Sequence, residues 1–147
     1  MADWIKWQPI SKLYDDDTTR KKGVYQIRLV DTRDDPIPVP RLAGTDKEGL
    51  YYIGKTTKKL RDRLKVFLPD PESEGEVHED IAEALRNKPG FRDYRLQYRV
   101  KVLEDKSVIE AMEGFHIRQY LEEFCEKPQG NWSLPRKAFD QVLAKIR

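Results

Sequence analysis

The stretch from Tyr94 to Val102 constrains this chain most. Tyr94, Leu96, Tyr98, Val100 and Val102 alternate strictly with Arg95, Gln97, Arg99 and Lys101. Successive side chains of a strand point to opposite faces, so the pattern predicts one buried face, one wet face and an antiparallel sheet. Gly23 to Val30 predicts another strand, with Tyr25, Ile27 and Leu29 on one face and Val24, Gln26, Arg28 and Val30 on the other. Leu50 to Gly54 predicts a third, short and stopped by glycine. Between the last two, Asp31 to Gly49 carries Pro36, Pro38 and Pro40, which predicts an extended surface loop rather than a tight hairpin turn.

Helical spacing fills the remainder. Leu60, Leu64 and Phe67 fall at i, i+4 and i+7 within a helix over Thr57 to Phe67, ended by Pro69. Asp70 to Val77 reads as an acidic loop. A second helix runs from His78 to Asn87, with Ile81, Ala84 and Leu85 inward, and Pro89-Gly90 breaks it. The longest helix covers Ser107 to Phe124, a loop follows over Pro128 to Pro135, and a short helix covers Lys137 to Ile146. The first 22 residues form an arm with a turn at Asp15 to Thr19, which Trp4, Trp7 and Leu13 could pin down. The order β-β-α-α-β-α-α describes a small α+β sandwich with a three-stranded antiparallel sheet flanked by helices. The chain is 147 residues long, the size of one domain.

Composition excludes several classes. Charged residues make up 37% of the chain, yet 3 Trp, 7 Tyr and 5 Phe spread along it argue against disorder. A lone cysteine cannot close an internal disulfide, so a reducing, cytoplasmic setting is expected. No apolar run approaches the ~18 residues of a membrane span, and the start lacks the apolar stretch of a signal peptide. The net charge of +2 hides blocks. Lys55 to Lys65 holds six cations against Asp62; Asp70 to Glu83 holds seven acids and no Lys or Arg; Arg86 to Lys101 holds six cations against Asp93. Basic blocks flanking an acidic one are compatible with a nucleic-acid footprint.

The longest helix carries an anomaly. At ~100° per residue, Ile109, Met112, Ile117, Tyr120 and Phe124 form an apolar arc, and both Glu113 and His116 fall inside it. A carboxylate there must be paired, protonated or bound to a metal, or lie at the mouth of the core. Glu110 sits at the arc's edge. On the first helix Arg63 borders the apolar stripe, so its stem can pack while its guanidinium reaches over the sheet.

Two short motifs connect these residues. The first strand begins Gly23-Val24-Tyr25 and the second ends Tyr52-Ile53-Gly54. Leu60-Arg61-Asp62-Arg63-Leu64, then Glu113 four residues before Ile117, then Pro128-Gln129-Gly130-Asn131 follow in order. This succession resembles the GIY-YIG nuclease superfamily over roughly residues 23 to 132, leaving 1–22 as an arm and 133–147 as a terminal helix. The resemblance implies a metal-dependent endonuclease hydrolysing DNA phosphodiesters with one Mg²⁺ or Mn²⁺. It implies that Glu113 holds the ion and that Arg63 stabilises charge on the phosphoryl oxygens. It also implies that Tyr25, with Tyr52 beside it, assists the attacking water, and that Asn131 positions the group.

Relative to common family spacing, one residue is inserted between Gly54 and Arg63, which leaves Arg61 as a lesser candidate, and Phe67 stands where some members have histidine. His78, His116 and Lys55 are accessory candidates. Lys55, Lys58, Lys59 and Arg61, with Arg28, Arg95, Arg99 and Lys101 on the basic strand faces, would hold the backbone electrostatically. DNA is favoured over RNA, a homodimer is compatible with the family, and nucleoid association would follow from DNA binding. Two alternatives stay open: a non-catalytic nucleic-acid-binding module, and a repair or recombination nuclease that needs partners.

Overall fold

A computed structural model describes residues 3–68 and 95–131 of the chain. The expected helices over His78 to Asn87 and Lys137 to Ile146, and the acidic loop, lie outside the described residues. Among the described residues six strands are present: β1 (Gln8–Pro9), β2 (Gly23–Val30), β3 (Val39–Arg41), β4 (Gly44–Asp46), β5 (Leu50–Thr56) and β6 (Arg95–Val102). Two α-helices accompany them among the same residues, α1 (Leu60–Leu64) and α2 (Lys106–Phe124).

The main sheet is antiparallel with the order β1-β6-β2-β5. It therefore has four strands rather than the expected three. The extra one is a piece of the arm, where Gln8 pairs with Tyr98 and Pro9 with Gln97. Ile5 N extends this contact by donating to Val100 O at 2.9 Å. The proline-rich connection is also more ordered than expected. Val39 pairs with Asp46 and Arg41 with Gly44 in a small β3–β4 hairpin. Pro40 is tolerated there because, among the described residues, this ribbon has no third strand to demand its missing N–H.

Helix α1 is a single turn that tightens into a 3₁₀ turn over Lys65–Phe67, shorter at its start than the apolar spacing predicts. Helix α2 begins one residue earlier than expected. Asp105 caps it by accepting from Ser107 N at 2.9 Å, and Cys125 closes it in a left-handed conformation.

Apolar side chains cover both faces of the sheet. On one, Tyr25, Ile27, Tyr52, Tyr98 and Val100 pack with Leu13, Leu60, Leu64 and Phe67. On the other, Leu50 and Ile53 pack under Ile117, Tyr120, Leu121 and Phe124 of α2.

That second face is not wet, contrary to the alternation. Arg28 and Arg99 face Gln97 and Gln26 across the β2–β6 pair and bond to them at 2.8 and 2.7 Å. The arm then lays Trp4 and Trp7 over the cations. Arg28 lies 4.3 Å from the Trp7 ring, Arg99 4.6 Å from Trp7 and 4.7 Å from Trp4, and Lys101 4.8 Å from Trp4. The result is a ladder in which cations and indoles alternate. Each cation–aromatic contact contributes roughly 0.5–1 kcal/mol. Burial lowers the pKa of all three cations.

Because Trp4 touches two cations and the His116 ring, Trp4→Ala is expected to cost about 2 kcal/mol in urea denaturation. An unchanged midpoint would show that the ladder does not hold the arm.

Candidate active site

The two motif glycines have steric roles. Gly23 (φ +156°) opens β2 so close to β6 that a Cβ would strike Lys101 O, with Leu103 N at 3.2 Å. Gly54 lies opposite Tyr25 in the β2–β5 ladder, and the Tyr25 phenol crosses the space its side chain would fill. A Cβ at Gly54 would overlap the Tyr25 Cζ and hydroxyl and stand 2.7 Å from the Tyr52 ring. The absent side chain thus lets one phenol reach toward the sheet's β5 edge.

Tyr25 and Tyr52 stack with ring centroids 5.9 Å apart, and Phe67 backs Tyr52 at 5.8 Å. Tyr25 is 0% exposed, and its hydroxyl is buried without a hydrogen-bond partner among the described residues. The Tyr52 hydroxyl couples to it both by charge and by a hydrogen-bond contact that falls short of regular geometry. An orphaned buried hydroxyl costs roughly 1–3 kcal/mol, and native structures leave few of them without a reason.

Two opposite charges act on this phenol pair. Burial raises the Tyr25 pKa well above its usual value, Tyr52 and Glu113 raise it further, and Arg63 pulls it down. Burial likewise pushes Tyr52 up to about 12, with Glu113 raising and Arg63 lowering it. Arg63 and Glu113 therefore stand within electrostatic reach of the same two hydroxyls, one from α1 and one from α2. The charge of Arg63 does not offset the burial, so both phenols are neutral near pH 7.

Arg63 is exposed and makes no hydrogen bond or ion pair among the described residues. Glu113 is partly buried. Burial raises its pKa, the Lys55 ammonium lowers it, and Glu110 raises it again. Lys55 Nζ stands 3.9 Å from Glu113 Oε1, a loose pair. A half-sheltered carboxylate so weakly compensated suits one divalent cation that keeps most of its waters, as Mg²⁺ does. No cluster of three or more His, Cys, Asp or Glu side chains is present among the described residues.

Asn131 works on the other side of β5. Ile53 N donates to its Oδ1 at 3.0 Å, and its Nδ2 donates to Ile53 O at 2.8 Å. Among the described residues β5 is the sheet's outer strand, and this amide satisfies main-chain groups on its open side. Gly130 adds an N–H to Tyr51 O at 2.7 Å, and a Cβ there would meet the Tyr51 ring at 2.6 Å. Asn131 is a positioning residue that clamps the strand bearing Tyr52 and Gly54. Gly130 shares this role and was not singled out from the sequence; its only signal is its place inside the Pro-x-x-Asn element.

The remaining candidates scatter. His116 turns to the ladder, stacking at 4.8 Å on Trp4 with its Nε2 3.2 Å from Lys101 Nζ. Arg61 donates to Thr19 Oγ1 and Asp16 O, which ties α1 to the arm. Arg28 and Arg99 belong to the ladder, and Arg95 is exposed 3.9 Å from Asp34. Lys58 and Lys59 are exposed beside the start of α1, and His78 lies outside the described residues. Comparison with protein-family models, with curated proteins and with solved structures returned no match.

Two outcomes follow from the geometry. Gly54→Ala is expected to cost about 1–3 kcal/mol in urea denaturation by overpacking against Tyr25, whereas an unchanged stability would mean the ring is not seated there. His116 is held down to about 4 from its usual 6.5, by burial first and then by Lys101. Its depressed pKa means that the unfolded chain binds the proton first as the pH falls. Stability is therefore full above about pH 6.5 and falls toward pH 4 by up to about 3 kcal/mol. His116→Gln should flatten that part of the pH–stability curve; an equally steep curve would exclude His116 as its source.

Proposed function

We propose that the chain is a metal-dependent endonuclease of the GIY-YIG type acting on DNA, its α+β sheet and helices serving as a variant of that family's core. The observation that carries this reading is the convergence on one buried phenol pair of a guanidinium that has no ion pair among the described residues and a weakly compensated carboxylate.

Each group has a role matched to phosphodiester hydrolysis. The Arg63 fork donates to non-bridging phosphoryl oxygens, where negative charge grows as water attacks phosphorus. The Tyr52 hydroxyl, kept neutral by burial, orients the attacking water, and the fully buried Tyr25 stacks behind it and holds its ring; Tyr52 accepts a proton only as phenolate, a form that more positive charge nearby favours. Glu113 is the residue to hold a divalent cation, with Lys55 as its partner when no cation is bound. Bound there, the cation would supply positive charge for the leaving oxygen and help water ionise. Asn131 keeps β5 in register beneath both phenols.

The Lys55–Glu113 pair gives a specific reason to hold a second reading, a nucleic-acid-binding module in which that carboxylate is only a salt-bridge partner.

A plasmid-nicking assay separates the two. Wild type is expected to nick supercoiled DNA with Mg²⁺ and not with EDTA. Arg63→Ala and Glu113→Ala should each lose roughly 10²-fold or more in rate. Mg²⁺ should raise the melting temperature of wild type but not of Glu113→Gln. Equal nicking by all three proteins, or none by any, would leave the binding module in place. Forked and nicked substrates beside linear duplex would show whether a branched structure is required.

A further inference from the structure

A groove of about 730 Å³ opens where β2 begins, β6 ends and α1 starts. Its walls carry Arg20, Lys21 and Lys22 from the arm and Lys58 and Lys59 from the turn before α1. Among the described residues, two acids, Asp62 and Glu104, face these five cations. The main chain that presents them is braced: Leu60 N donates to Lys21 O at 2.8 Å, and Leu103 N donates to Lys22 O at 3.1 Å. Arg20 spends little of its charge on Asp17, which is 3.8 Å away and almost fully exposed.

The groove adjoins the candidate active site. Gly23 pairs with Thr56 and Val102 at its rim, and Tyr25 pairs with Gly54 two residues further in. Two strand residues span about 7 Å. Along α1, Arg63 follows Lys59 by four residues, about one turn. A row of positive charge thus runs from the arm, past Lys58 and Lys59, to the guanidinium assigned to the reacting phosphate.

We propose that this groove binds the phosphate backbone of duplex DNA next to the scissile bond and delivers it to Arg63, with Lys21 and Lys22 as binding residues contributed by the arm. The identity of the substrate rests on the nuclease reading; the groove and its charge do not. Neutralised phosphates release counterions, so each contact should appear as about 0.9 in the slope of log K against log salt concentration.

The test is fluorescence anisotropy of the full-length protein with a short fluorescein-labelled duplex in EDTA across a salt series. The triple variant Lys21→Gln, Lys22→Gln, Lys59→Gln should bind at least about tenfold more weakly, with a slope shallower by about 2–3. A control with the same charge change elsewhere, Arg33→Gln, Lys47→Gln, Arg118→Gln, should stay within about twofold of wild type. Should the groove triple melt early, the single changes, each lowering the slope by about one, carry the same test. Equal weakening by both triples, or none by the groove triple, overturns the proposal. So does tighter groove-dependent binding of a polyglutamate peptide than of the duplex, which would give the groove to an acidic protein. Cleavage with Mg²⁺ is scored separately on the same proteins. Groove-dependent binding without cleavage keeps the groove and removes the nuclease reading, and cleavage with groove-independent binding does the reverse.

Discussion

The Tyr25 phenol lies across the bare backbone of Gly54, and the arrangement of the site follows from that contact. A side chain at position 54 would push the ring back into the apolar layer. Without one, the hydroxyl sits near β5, sealed from water and with no regular hydrogen bond among the described residues. The contact holds only if β5 keeps its register on β2. The Asn131 amide enforces this by bonding both the N–H and the C=O of Ile53. A loop residue distant in sequence thereby fixes the strand that carries Tyr52. Arg63 and Glu113 complete the group from separate helices, α1 packing with the Tyr25 face and α2 with the opposite one.

Charge is divided between two uses. On the β2–β6 face, Arg28 and Arg99 lie between indoles and glutamines and Lys101 between Trp4 and His116, where they dock the arm and α2. At the strand ends, Arg20, Lys21, Lys22, Lys58 and Lys59 keep their charge facing an open groove. Composition cannot separate the two groups. They differ in environment, because a cation stacked on an indole and hydrogen-bonded to an amide has little left for a phosphate. The arm serves both uses, since its tryptophans close the ladder and its basic end lines the groove.

Much of this was legible in the sequence, for particular reasons. β2, β5 and β6 are half-buried or central strands, so their apolar residues fall on alternate positions, and α2 is long enough for its stripe to stand out. Glu113 stood out as a carboxylate within that stripe, and the structure places it partly sheltered beside Lys55. β1 was hidden because two residues carry no periodicity. The β3–β4 hairpin was hidden because proline argues against a strand unless the strand is an edge. The basic face was misread as wet because alternation reports which residues share a face, not what covers it; Trp4 and Trp7 do. Tyr25 as proton acceptor met a related limit. The motif names the residue, whereas complete burial sets its pKa, in the direction that keeps the proton on.

The central claim is that Glu113, Arg63 and the two phenols surround one cation and one phosphate. The most direct measurement is a crystal structure of the protein with Mn²⁺ and a bound duplex, using the anomalous signal to place the metal. The account predicts a manganese peak against the Glu113 carboxylate, with Lys55 displaced from it and a phosphate held by Arg63 beside Tyr52. Manganese bound elsewhere, with Glu113 still paired to Lys55 and the duplex remote from Arg63, would contradict it.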